Sequence, residues 1–308
     1  MYRTVSASGG SELSRSLPPG FSGGLVDFLT LERRTDDLFR GWCHSGGPTR
    51  AFGGQVVAQA LAAAGGTVEP DRPVHSLHGY FLRSGDVRRP FAYAVERLRD
   101  SRRFSFRRVT VTQGDEAVFT LSCSFKYPEG VGDRQPAMPV APPPDEVPDA
   151  FDHWATRRPE EHRRARYAHV VSMRVVPRAP DAAPVGASGE IEQLAWFRSR
   201  QPLPDDRLLH LCALTYYSDL SFGSTSALDI EDLYPLREGP GRLGLASLDH
   251  SVWFHREFRA DEWLLFVQRS RTATDGRGLT TGEFWTRDGR LVATATQETA
   301  VSVFGPRT

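Results

Sequence analysis

Apolar residues recur at helical spacing in two widely separated places. After Gly53-Gly54, residues Val56, Val57, Ala60, Leu61 and Ala64 share one helical face. Leu208, Leu211, Cys212 and Thr215 form a second stripe, with Asp205 or Asp206 placed to cap it. Each stripe is followed by segments that read as strands. The first set covers 75–82, 91–98, 104–112 and 117–125. The second covers 247–256, 263–273, 278–286 and 291–303. The last two strands of each set are joined by a turn, Gln113-Gly114-Asp115-Glu116 in one and Asp288-Gly289 in the other. Two further strands are predicted at 168–177 and 189–198. A long apolar helix followed by an antiparallel meander implies a sheet wrapped around that helix, an α+β arrangement.

The two sets also match residue by residue. Residues 75–83 (HSLHGYFLR) lie over 247–255 (SLDHSVWFH) at an offset of 172, which places His78 on His250 and Phe81 on Trp253. Residues 109–125 lie over 283–299 at an offset of 174, which brings Thr112 onto Thr286 and aligns the two turns. The order and the nearly constant offset predict a duplicated fold. A histidine held in both copies points to packing or hydrogen bonding in the shared architecture, although its chemistry also suits a general base. His255 is weighed in the same way.

Between the copies, residues 129–150 hold six prolines in 136–148 and read as an extended spacer across the surface. The charged run from Arg157 to Arg166 reads as a solvated helix or loop. The expected organisation is a flexible lead-in over 1–24, a first domain over 25–128, a linker over 129–167 and a second domain over 168–304.

Charge and composition narrow the function. The 308 residues include 38 basic and 38 acidic ones. A nucleic-acid binder needs a cationic surplus to displace counterions, so that class is excluded. No apolar run reaches the length of a membrane-spanning helix, and the first 24 residues lack the apolar core of a secretory signal. Cys43, Cys123 and Cys212 are odd in number and widely spaced, which fits a reducing cytoplasm and neither a disulfide framework nor a zinc site. Nucleophile elbows, phosphate loops and paired metal-ligand motifs are missing, so no metal or cofactor is expected.

Three polar residues remain in segments that should otherwise be apolar. Asp219 ends the second apolar helix, where the helix dipole disfavours a carboxylate. Gln297 interrupts the last strand beside Glu298. Adjacent residues face opposite ways, and the neutral amide is the cheaper of the two to bury. Ser247 opens the strand of the repeated element. Taken singly, each has an ordinary structural explanation.

Five stretches together resemble a known family. Phe52-Gly53-Gly54-Gln55 with its helix, His75 to Arg83, Ser218-Asp219-Leu220, Leu248 to His255 and Gln297-Glu298 are similar to the type II acyl-CoA thioesterases. Those are double hot-dog proteins, each half an antiparallel sheet wrapped around a long helix. The resemblance covers about residues 25–128 and 188–304.

It implies an acyl-CoA substrate and a water activated by Asp219, Ser247 and Gln297. The better-known members carry threonine where Ser247 stands; serine keeps the oxygen but loses a stiff rotamer. The first copy has His75 in the place of Ser247 and Cys123 in the place of Gln297, so it reads as a degenerate half that supplies binding surface. Backbone amides at Gly53, Gly54 and Gln55 are candidates for an oxyanion site, or the glycines serve tight packing alone. Arg83, Arg102 and Arg103 are candidates for the CoA phosphates, and Arg88 and Arg89 lie nearby in sequence. Because 37 of the 38 basic residues are arginines, a solvated surface role is the ordinary expectation for any one of them. The resemblance also implies a homo-oligomer. Two alternatives stand: a hot-dog enoyl-CoA hydratase using an Asp–His pair, for which Asp249-His250 is the tempting candidate, and a non-catalytic acyl-CoA binding protein.

Overall fold

The computed structural model describes residues 23–46, 50–157, 159–177, 189–228 and 243–303. Most of the predicted lead-in lies outside them. Helix α1 (Leu25–Leu29) and strands β1 (Glu32–Arg33) and β2 (Leu38–Gly41) lead into helix α2 (Gly53–Gly65). Strands β3 (Val74–Phe81), β4 (Phe91–Asp100), β5 (Phe104–Gln113) and β6 (Glu116–Lys126) follow. A single 3-10 turn (Pro144–Glu146) and helices α3 (Ala150–Arg157), α4 (Pro159–Arg164) and α5 (Tyr167–Val170) connect to β7 (Val171–Val175) and β8 (Ile191–Ser199). Then come helix α6 (Arg207–Ser218), the one-turn α7 (Phe222–Thr225), and strands β9 (Leu243–Ser247), β10 (Asp249–Phe254), β11 (Leu264–Thr274), β12 (Arg277–Thr286) and β13 (Leu291–Val303).

One antiparallel sheet runs through the molecule in the order β1-β2-β4-β5-β6-β3-β10-β13-β12-β11-β8-β7, with β9 added beside β13. Outward from its centre the two halves repeat: β3-β6-β5-β4-β2-β1 on one side, β10-β13-β12-β11-β8-β7 on the other. They meet along β3 and β10, where His250 lies opposite Gly79 and Ser251 opposite His78. The architecture is the α+β double hot-dog, with α2 and α6 packed against each other inside the curved sheet.

Both helices are buried on more than the predicted stripe. Val57, Ala58, Ala60 and Leu61 of α2 are wholly buried, as are Ala213 and Leu214 of α6. Small residues allow the close approach: a Cβ on Gly54 would stand 2.7 Å from the Tyr216 carbonyl oxygen, and one on Gly65 2.6 Å from Leu208. These two contacts also show that the helices run antiparallel. Asp206 is the cap of α6, its carboxylate accepting from Leu209 N at 3.2 Å.

Four expectations need correction. The offset of 172 is wrong in facing: His78 is exposed on the outer surface against Trp253, whereas His250 is wholly buried. Side chains alternate along a strand, so a one-residue error in alignment exchanges the two faces. The shared-packing inference for this histidine pair therefore falls. Second, Ser247 ends β9 and does not open β10; Leu248 separates them. Third, residues 168–170 of the expected strand at 168–177 are helical, and β1, β2 and β9 were not foreseen. Fourth, the proline-rich segment is more than a spacer. Met138 and Ala141 pack on Trp196, Trp263 and Trp285, Trp196 Nε1 donates to Pro142 O at 3.0 Å, and Gln135 Oε1 accepts from Leu291 N at 3.0 Å. It straps an apolar patch on the outer face of the second half.

The buried His44 gives the fold a pH dependence. Its Nε2 lies 2.7 Å from the Tyr216 hydroxyl, and burial pulls its pKa from 6.5 down to about 4. Between those values the unfolded chain binds a proton that the folded chain does not. Stability is therefore complete above 6.5 and declines as pH falls toward 4, by roughly 3 kcal/mol in all. Urea denaturation from about pH 7 to about pH 5 should show this loss, and His44→Phe should make the slope shallower.

Candidate active site

Asp219 is the C-cap of α6, where that helix's own dipole opposes its charge. Antiparallel packing supplies the compensation, because the N-terminus of α2 points at the same carboxylate. Gly54 N–H donates to Asp219 Oδ2 at 2.7 Å. On the other side, Oδ1 accepts from Gln297 Nε2 at 3.0 Å and from Ser247 Oγ at 3.3 Å. Gln297 Nε2 also bonds Ser247 Oγ. The pairing of β9 with β13 makes this convergence possible: Ser247 lies opposite Thr299, two residues along from Gln297. Asp219 and Ser247 are half-buried and Gln297 is wholly buried.

Asp219 and Ser247 line a cleft of about 480 Å³. Phe52, Val56, Phe81, Phe91 and Phe119 supply apolar wall, and Arg50 and Arg83 also border it. A larger cleft, about 890 Å³, lies at the other end of the helix pair between the start of β3 and the start of α6. Its charges largely satisfy one another through ion pairs such as Arg207–Glu257 and Arg259–Asp205. The smaller cleft is the one that carries the acid.

The corresponding positions of the first half are filled differently. Gly66 caps α2 where Asp219 caps α6. Cys123 lies opposite Arg107, as Gln297 lies opposite Thr280. The buried Arg107 donates to Asp100 Oδ1 at 2.9 Å and to Thr67 Oγ1 at 2.8 Å, so a guanidinium plugs the space. Burial pushes the Cys123 thiol above its ordinary pKa. His75 does not hold the place of Ser247: Val74 pairs with Phe125 as Ser247 pairs with Thr299, and His75 is turned to Ser124 Oγ at 2.8 Å.

The remaining sequence candidates separate. Gly53 and Gly54 lie at the carboxylate, with a Cβ on Gly53 only 2.8 Å from Asp219 Oδ2. Gln55 does not serve as a ligand-facing side chain. It is wholly buried, accepts from His44 N at 2.7 Å, and donates to Phe28 O at 2.8 Å and Trp42 O at 3.0 Å. Its own N–H returns to Phe52 O at 3.2 Å. Arg83 reaches the cleft mouth, its Nη1 donating to Ala117 O at 3.0 Å. Arg102 and Arg103 are not brought there: they sit in the turn between β4 and β5, and Arg103 faces Glu129 at 3.5 Å. Arg88 is paired with Asp86. Among the described residues, no cluster of three or more His, Cys, Asp or Glu could hold a metal ion.

Sequence reasoning missed Arg50, whose only signal was a charge just ahead of the Phe52-Gly53-Gly54-Gln55 stretch. It also missed Ser221, which turns the chain after Asp219 with φ of 63°. That left-handed turn is braced by Gln268, whose Nε2 donates to Ser221 Oγ at 2.9 Å.

The chain is similar to known acyl-CoA thioesterases along most of its length. A family model described as the acyl-CoA thioesterase N-terminal domain matches residues 39–126, and one described as the C-terminal domain matches residues 139–301. Acyl-coenzyme A thioesterase 8 of Mus musculus is 38% identical over 289 residues, covering 89% of this chain and 87% of its own. Acyl-CoA thioesterase 2 of Haemophilus influenzae is 35% identical over 279 residues, covering 89% and 95%. Among solved structures, the acyl-CoA thioesterase II TesB2 of Mycobacterium marinum is 40% identical with a TM-score of 0.76, covering 91% and 98%.

Proposed function

The chain belongs to the type II acyl-CoA thioesterase family, and on that premise we propose that it hydrolyses fatty acyl-CoA with a water deprotonated by Asp219 and positioned by Ser247 and Gln297. The protein is a thioester hydrolase. The observation that carries the finer reading is the convergence of alcohol and amide on Asp219 Oδ1 at the edge of a partly apolar cleft.

A thioester carbonyl is already electrophilic, so the main task is to hold and deprotonate water. Water oxygen bonds to the carbonyl carbon while Asp219 takes its proton. The tetrahedral oxyanion collapses, the carbon–sulfur bond breaks, and the proton passes to the departing CoA thiolate. Gly54 N–H is committed to Asp219 Oδ2, so the dipole of α2 steadies the base. Gly53 N–H, which has no hydrogen-bond partner among the described residues, is the better oxyanion donor of the pair. A well-placed donor contributes about 3–4 kcal/mol to such a transition state. Apolar residues of the first half line the acyl path, and Arg50 and Arg83 at the mouth suit CoA phosphates. Three buried free cysteines support a reducing, cytoplasmic setting. A homo-oligomer completes the reading, testable by light scattering.

The hydratase alternative needs a histidine that touches substrate. His250 is wholly buried, its Nε2 is turned to Ser218 Oγ at 2.7 Å, and unlike Gln297 it has no hydrogen bond to the cleft-lining Asp219 or Ser247, so no observation favours it. Thiol release from acyl-CoAs of graded chain length, run beside loss of enoyl absorbance from crotonyl-CoA, tests the proposal. Release of thiol without hydration is the expected result; binding without release would sink it. Gln297→Ala and Ser247→Ala should each lower kcat by about tenfold, less than loss of the acid. Ser247→Thr should retain activity, because the oxygen stays and the rotamer stiffens.

A further inference from the structure

We propose that His250, supported by Ser218, is a positioning residue that sets which way the Gln297 amide faces. The inference rests on the reading of Gln297 as a water-holding group.

His250 stands on β10 and Gln297 on β13. Ser251 pairs with Thr296, so His250 and Gln297 are the next cross-strand neighbours, with Cβ atoms at about 4.5–5.5 Å in such pairs. Both are wholly buried. His250 Nε2 lies 2.7 Å from Ser218 Oγ. His250 Nδ1 and Gln297 Oε1, by contrast, are both buried without a hydrogen-bond partner among the described residues. Burial holds the ring below its ordinary pKa, while the Asp219 charge and an interaction with the Gln297 side chain oppose that shift. The ring is neutral and carries one N–H.

Proton accounting then selects one arrangement. Ser218 Oγ has a single hydrogen and two acceptors in reach, Thr215 O at 2.8 Å and His250 Nε2 at 2.7 Å. Given to Nε2, it leaves the ring N–H on Nδ1, facing the Gln297 carbonyl oxygen. Given to Thr215 O, it requires the ring N–H on Nε2 and sets a lone pair against that oxygen. Only the first arrangement gives Gln297 Oε1 a donor from the ring, and it does so at the expense of the Ser218 hydroxyl's bond to Thr215 O. With Oε1 committed to the ring, the amide nitrogen must face Asp219 Oδ1 and Ser247 Oγ, as observed. A reversed amide would turn its oxygen toward a carboxylate. The serine of Ser218-Asp219-Leu220 and the histidine of Asp249-His250 thereby share one task. The competing donor is Thr280 Oγ1, directly opposite Gln297 on β12 and also unpartnered.

The test compares kcat and KM for His250→Leu, His250→Asn, Ser218→Ala and Thr280→Val, each in the wild-type and the Gln297→Ala background. His250→Leu should lower kcat about tenfold with KM within about twofold, and His250→Asn, whose amide can donate from near the Nδ1 position, should recover most of it. In the Gln297→Ala background His250→Leu should cost less than about twofold, since the group it orients is gone. Should the leucine variant fail to fold, Ser218→Ala must show the same background dependence. Equal losses in both backgrounds, or a loss from Thr280→Val with none from His250→Leu, would overturn the assignment to His250. Wild-type kcat in Gln297→Ala alone would overturn the role of Gln297 as well, and so is distinguishable from failure of the histidine inference only.

Discussion

Asp219→Asn should lower kcat by at least about a hundredfold, with the melting temperature changed by only a few degrees. The substitution keeps the shape of the side chain and removes the group that takes the proton. It also cannot satisfy its neighbours. Oδ1 accepts from Ser247 and Gln297 and Oδ2 accepts from Gly54, so both oxygens face donors. Whichever way the new amide turns, its nitrogen meets an N–H or O–H and leaves a donor unpaired, at a cost of about 1–3 kcal/mol. Relief from the α6 dipole offsets part of that cost. Steady-state thiol release at saturating acyl-CoA, with a thermal melt of the same preparation, checks both halves. Wild-type turnover in a folded Asp219→Asn protein would remove Asp219 as the base.

Gly54→Ala should damage stability and activity together, whereas Gly53→Ala should damage activity with little change in stability. A Cβ on Gly54 meets the Tyr216 carbonyl oxygen at 2.7 Å. That atom is backbone inside α6 and cannot swing aside, so the helices must separate. Overpacking of this kind costs about 1–3 kcal/mol, and a melting temperature lower by about 5–10 °C is expected. Separation also draws the Gly54 amide away from Asp219, and misplacement near 1 Å can cost about a hundredfold in rate. On Gly53 the obstacles are side-chain ends, Asp219 Oδ2 at 2.8 Å and Phe81 Cζ at 3.1 Å. These can yield, but yielding displaces the base. Thermal melts and kcat for the pair check this contrast; equal melting temperatures would mean that the Gly54 contact is not a helix–helix spacer.

Much of the architecture could be read from the chain because it rests on local periodicity. The two apolar helices, the four-strand sets and the Asp288-Gly289 turn lie within a few residues of expectation, since side-chain period and turn chemistry are short-range properties. The short strands β1, β2 and β9 were not legible. Leu38–Gly41 and Leu243–Ser247 are too brief to show a period, and they are strands through pairing with β4 and β13. Likewise, Arg102 and Arg103 neighbour Arg83 in composition only; the length of β5 and β6 holds them away from the cleft.

For the candidate site, the three polar residues stand in otherwise apolar segments, but only the family resemblance groups them as one set. Patterning alone does not bring them together. Asp219, Ser247 and Gln297 are far apart in the chain, and their separation of about a hydrogen bond follows from helix packing and strand register. The same holds for the difference between His78 and His250. Repeat alignment makes them equivalents, but alternation along a strand means that one residue of register decides whether a histidine meets solvent or stands behind the candidate amide. Residue type and periodicity determined the duplicated wrapping of sheet on helix. Tertiary pairing decided which carboxylate gained an alcohol, an amide and a helix N-terminus, because each of those contacts spans elements whose relative placement depends on long-range packing.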